Sequence, residues 1–170
     1  MTPWVKLGTA QIPNNGGELT FSQRGDEFSI RLSGIRGELM NSRVYNSEQE
    51  LAQLGCAYIK STPNAHVLVG GLGMGYTLAA ALKAVTPSST VTVAELIPEV
   101  HIWNQGPLGK CANDPLQDPR TQVKIGDVKY LLNMQTPTYD AILLDVDNGP
   151  EGLTHSDNNW IYSEAGLKDI

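Results

Sequence analysis

The stretch Val67-Leu-Val-Gly-Gly-Leu-Gly-Met-Gly-Tyr76 decides the fold. It opens as an apolar, β-branched run over 67–69 and turns through Gly70, Gly71, Gly73 and Gly75. It then enters an Ala- and Leu-rich run over 77–85. A buried strand, a glycine turn and a helix open a nucleotide-binding βαβ unit. Side chains at Gly71, Gly73 and Gly75 would hold a ligand off the backbone and disfavour left-handed torsions. The spacing Gly71-x-Gly73-x-Gly75 brings its third glycine one residue earlier than the dinucleotide pattern G-x-G-x-x-G. The next strand, 90–96, strengthens the reading. Near its end stands Glu95, about 20 residues past the turn, where a carboxylate can accept hydrogen bonds from both ribose hydroxyls.

Downstream the alternation continues. Pro98 suits the first position of a helix that contains Glu99, Val100 and Trp103. Residues 106–120, with three prolines, read as a loop. A third strand over 122–125 runs into Gly126-Asp127, and a short helix follows over 128–134. The fourth strand, Tyr139-Asp-Ala-Ile-Leu-Leu-Asp145, is apolar through its middle, as a strand buried on both faces should be. It leads into a polar loop over 146–154, and a last helix is expected from Ser163. Strands alternating with helices imply a parallel sheet. Ligands of such sheets bind beyond the carboxyl ends of the strands. Gly71 to Gly75, Glu95, Asp127, Asp145 and Asp147 all fall there.

Upstream, residues 18–23, 27–33 and 38–44 read as short strands separated by Arg24-Gly-Asp26 and Gly34-Ile-Arg-Gly37. Leu19 with Phe21, and Phe28 with Ile30 and Leu32, alternate in period two, so each strand should bury one face. A sheet this small must lean on the rest of the chain or on another subunit. Ser47-Glu-Gln-Glu50 has the form of a capping box, and the helix after it is expected to reach Lys60 with Leu51, Leu54 and Tyr58 on one face. Two units are therefore expected: a small β segment over 1–45 and a Rossmann-like α/β domain over 46–170.

The chain has 170 residues, a net charge of −6 and 41% hydrophobic residues. Its acidity disfavours nucleic acid as a partner, because phosphate binding needs a basic face. No apolar run approaches the roughly 20 residues that cross a membrane, and the first residues lack a signal-peptide layout. Cys56 and Cys111 form no metal or redox spacing and read as reduced thiols of a cytoplasmic protein. His66, His101 and His155 are scattered, with no metal constellation around them.

With these residues in place, the segment 66–167 resembles the spermidine synthase (polyamine aminopropyltransferase) family, which has the class I methyltransferase-like Rossmann fold. The resemblance rests on the glycine turn, on Ala94-Glu-Leu-Ile-Pro-Glu-Val100, on Gly126-Asp127 and on Tyr139-Asp-Ala-Ile-Leu-Leu-Asp-Val-Asp-Asn-Gly-Pro150. It implies that Gly71, Gly73 and Gly75 let the backbone pass close to a sulfonium nucleoside. It implies that Glu95 holds the ribose, Asp127 accepts from the adenine amino group, Asp145 deprotonates the attacking amine, and Asp147 is the second acid. The co-substrate implied is decarboxylated S-adenosylmethionine or S-adenosylmethionine. The acceptor implied is a small amine, and the assembly a homodimer.

Three positions depart from the family pattern. Met74 stands where the turn has an acid, Ser33 where an N-terminal Asp is usual, and Asn148-Gly149-Pro150 where Asp-Pro closes the fourth-strand signature. The family also continues past the equivalent of Ile170, so a chain shortened at its C-terminus is expected. Aminopropyl transfer, methyl transfer from S-adenosylmethionine, and a binding protein that has lost the chemistry are the three functions compatible with this pattern.

Overall fold

The computed structural model describes residues 2–133 and 138–146. The chain opens with an antiparallel sheet of four strands in the order β1-β2-β3-β4. These are β1 (Val5–Gln11), β2 (Glu18–Arg24), β3 (Glu27–Leu32) and β4 (Met40–Asn41). Gly25, at φ 58°, takes the first central position of the two-residue β2–β3 turn, where type II′ geometry calls for glycine. The apolar residues of β2 and β3 go inside as expected, with Leu19, Phe21, Phe28, Ile30 and Leu32 all buried, but β3 also buries Ser29 on its other face. β1 carries no such alternation, since Ala10 alone of its residues is buried, and the sequence did not single it out. The strand expected over 38–44 contracts to two residues.

The small sheet leans on its own chain. Phe21 stacks between Phe28, with ring centroids 5.7 Å apart, and Trp103, at 4.9 Å. Met74, Tyr76 and Val100 belong to the same core cluster.

Helix α1 (Asn46–Gly55) corrects two expectations. Its N-cap is Tyr45, and the Ser47 hydroxyl donates to the Glu48 carboxylate at 2.7 Å, so no capping box forms. The helix ends at Gly55, and Leu54 and Tyr58 are exposed, Tyr58 almost fully. The buried side is instead Ala52, followed by Cys56 past the helix end. Small residues win because α1 lies close on the second sheet: a Cβ at Gly55 would overlap the Leu143 side chain.

A second, four-stranded sheet is parallel, in the order β7-β6-β5-β8. The strands are β5 (His66–Gly70), β6 (Thr90–Glu95), β7 (Thr121–Ile125) and β8 (Ala141–Leu144). The connecting helices are α2 (Tyr76–Ala84), α3 (Pro98–Gln105) and α4 (Val128–Leu132). Val67, Leu68, Val69, Val91 and Val93 are fully buried, so β5 and β6 are the doubly covered centre. β8 ends the described sheet, and Leu143 is its one fully buried residue. It is therefore less enclosed than its apolar composition suggested. The expected loop over 106–120 contains two short 3-10 turns, Gly109–Ala112 and Pro115–Gln117. His66 pairs with Thr92 Oγ1 at 2.9 Å and leans on Tyr139, a packing role at the strand start. The helix expected from Ser163 lies outside the described residues.

Candidate functional site

The carboxyl ends of all four parallel strands open into one cavity of about 570 Å³. The antiparallel sheet roofs it through Ile12, Leu19, Leu39 and Met40. Parallel pairing brings Gly70 beside Ala94 on one side and beside Leu144 on the other. The residues that follow these strands must then share one edge.

Three glycines of the turn take positive φ, 94° at Gly71, 50° at Gly73 and 82° at Gly75. The three glycines serve different ends. A Cβ at Gly71 would overlap the carbonyl oxygen of Asp145, so this glycine lets the turn pass against the backbone leaving β8. At Gly73 a Cβ would meet only the Met40 sulfur, at 3.3 Å, inside the cavity. At Gly75, the N-cap of α2, it would press on Pro115 and Asn104 behind the turn. Gly71 and Gly73 line the cavity, whereas Gly75 shapes the turn from outside it.

Glu95 is buried at the end of β6. Its Oε2 accepts from the Leu72 N–H at 3.0 Å and its Oε1 from the Ile97 N–H at 2.8 Å. Burial pushes this carboxyl above its ordinary range, and the backbone donors pull it back. Glu95 thus ties the glycine turn to the next strand end. The Gly73 and Leu96 N–H groups also act on this carboxylate and favour its ionised form. Asp127 follows β7 and caps α4, its Oδ1 accepting from the Lys129 N–H at 2.9 Å.

Asp145 follows β8. Its N–H donates to the Gly70 carbonyl at 2.7 Å, and its Oδ2 accepts from the Thr77 hydroxyl at 2.6 Å. Burial is the main force raising this carboxyl, the Thr77 bond opposes it, and the nearby Glu48 charge adds to it. Asp147 lies outside the described residues.

Sequence reasoning missed three members of the site. Glu48 reaches the cavity from α1. Asn104, buried on α3, donates through Nδ2 to the Gly73 carbonyl at 2.8 Å and so holds the turn from behind. Thr77 grips Asp145. A polar residue in the buried first turn of a helix is a weak signal that could have marked Thr77. Nothing in spacing marks the other two. Among the described lining residues the acids are Glu48, Glu95, Asp127 and Asp145, and the base is Lys129. No group of three or more His, Cys, Asp or Glu among the described residues could hold a metal ion. Nor is any described helix long and apolar enough to cross a membrane.

A parallel sheet with its cavity at the strand ends, preceded by a small antiparallel sheet, is a Rossmann-like, class I methyltransferase-like architecture. More narrowly, the chain has a spermidine synthase-like fold. A solved spermidine synthase in complex with the transition state analogue AdoDATO superposes with a TM-score of 0.65 at 20% identity. The match covers 82% of this chain and 47% of that one. Spermidine synthase from Thermotoga maritima superposes with a TM-score of 0.64, at the same identity and the same coverage. The chain therefore spans about half the length of these structures. At this identity the likeness is one of fold. No protein-family model matches the sequence, and no curated protein does.

Proposed function

We propose that this chain binds a sulfonium nucleoside and transfers its aminopropyl group to a small cationic amine, releasing methylthioadenosine. The observation that carries the reading is Asp145, a half-buried carboxylate on the wall of a cavity that also holds Glu48, Glu95 and Asp127. An alkylammonium is not a nucleophile, and its neutral amine is. A carboxylate can attract the cation, orient it and take its proton. In this reading Gly71 and Gly73 admit the nucleoside and Gly75 keeps the turn in shape. Glu95 accepts from the ribose hydroxyls, Asp127 from the adenine amino group, and Asp145 takes the proton. Asp147 is assigned the second acid of the amine subsite. The sulfonium is already a good leaving group, so positioning supplies much of the rate. A homodimer, a cytoplasmic setting and a division of the chain near residue 45 belong to the same proposal.

One observation favours a second reading. Met74, buried in the turn, offers no charge to a donor's free amine. S-adenosylmethionine-dependent methyl transfer would use the same pocket. Calorimetric titration with S-adenosylmethionine, its decarboxylated form and methylthioadenosine separates the two. Tighter binding of the decarboxylated form, followed by transfer to putrescine, supports aminopropyl chemistry. Tighter binding of S-adenosylmethionine selects methyl transfer. A folded chain that binds none of the three is not an enzyme of either kind.

A further inference from the structure

We propose that Thr77 is a positioning residue that holds the Asp145 carboxylate with one oxygen occupied and the other presented to the incoming amine. The inference rests on the reading of Asp145 as the base. Thr77 lies in the first turn of α2 and is 1% exposed. Its hydroxyl carries one proton, and that proton is committed to Asp145 Oδ2 at 2.6 Å. A β-branched side chain in a helix has few χ1 choices, so the donor is preset. With Oδ2 taken, Oδ1 is the oxygen left to accept a proton.

The charge environment gives the bond a second role. Burial raises the Asp145 carboxyl, the Thr77 bond opposes this by favouring the ionised form, and Glu48 from α1 adds a smaller push upward. Glu95 from β6, Asp127 at the head of α4 and Lys129 within α4 face the same cavity. A base must be ionised before it can act. In the proposed step an ammonium N–H proton passes to Asp145 Oδ1. The freed nitrogen pair then forms the C–N bond as the C–S pair leaves on sulfur, turning the sulfonium into neutral methylthioadenosine. Thr77 itself keeps its proton throughout.

The test replaces the hydroxyl and reads Asp145 directly. In ligand-free protein labelled with 13C at the aspartate carboxyl, the Asp145 signal is assigned by its loss in Asp145→Asn and followed against pH. Thr77→Val, an isosteric change, should move the Asp145 midpoint upward by about one pH unit, a roughly tenfold gain in proton affinity. Thr77→Ser, which keeps the donor, should hold it near the wild-type position. If Thr77→Val does not fold, Thr77→Ala serves in its place. In a transfer assay the acidic limb of kcat should move the same way in the valine or alanine variant and return in the serine variant, with KM nearly constant. A folded Thr77→Val or Thr77→Ala chain that titrates like wild type overturns the proposal. A clear shift in the titration, in a wild-type chain that transfers nothing, upholds the grip on Asp145 and sinks the functional reading instead.

Discussion

Replacing Gly71 by alanine separates two reasons for a glycine turn, ligand approach and backbone packing. Gly71 sits at φ 94°, and a Cβ there would overlap the Asp145 carbonyl oxygen. Both partners are backbone, so neither can swing aside. Gly25, in the β2–β3 turn, is the control: it also has positive φ, at 58°, but a Cβ there meets nothing within 4 Å. Forcing an L-residue into left-handed torsions costs about 1–2 kcal/mol, and Gly25→Ala should lose only that. Gly71→Ala adds an overpacking cost of about 1–3 kcal/mol, for a total of roughly 2–5 kcal/mol. In a chain of this size each kcal/mol moves the melting temperature by about 2–4 °C. Gly25→Ala should therefore lose roughly 2–8 °C, and Gly71→Ala roughly 4–20 °C. Scanning calorimetry of both variants beside the wild type measures the difference. Equal losses in the two would refute the inference that the turn passes hard against the backbone leaving β8. The placement of Asp145 relative to the glycines would then need another cause.

Three further outcomes are expected. Asp145→Asn should lower transfer by about 10²–10⁴-fold, the range of general-base catalysis. It should also stabilise the fold. Burial raises this carboxyl in the folded state, so the folded chain binds more protons than the unfolded one above the ordinary value of 3.8, and wild-type stability falls as pH rises from there. The asparagine variant should melt higher at pH 7, and the advantage should fade as pH drops towards 3.8, which melting curves across that range would check. Asn104→Leu leaves the Gly73 carbonyl without its donor and should cost about 1–3 kcal/mol in urea unfolding, with weaker methylthioadenosine binding. Unchanged stability would mean that the turn holds itself. Glu48→Gln should raise KM for a diamine by up to about fivefold, as for a partly exposed charge pair, and leave a monoamine less affected. An equal effect on both would mean that Glu48 does not meet the second ammonium of a diamine.

Local patterns made most of the architecture legible. Period-two apolar residues in β2 and β3, continuous apolar runs in β5 and β6, and left-handed glycines between β5 and α2 each report a constraint satisfied within a few residues of chain. The acids at the strand ends were legible for the same reason, because parallel sheets always present those ends together. α1 was misread because its burial depends on how closely the helix approaches Leu143, and a face of small residues, Ala52, Gly55 and Cys56, carries almost no hydrophobic signal. Thr77 and Asp145 are 68 positions apart, Asn104 and Gly73 31 apart. Those contacts exist because β8 pairs beside β5 and because α3 packs behind the glycine turn. The sequence by itself determined the kind of sheet and which edge opens onto the cavity, since torsions and periodicity are local. The reason for each glycine, the grip on Asp145 and the arrival of Glu48 were decided only when distant elements closed on one another. Sheet order and helix packing are properties of the whole chain.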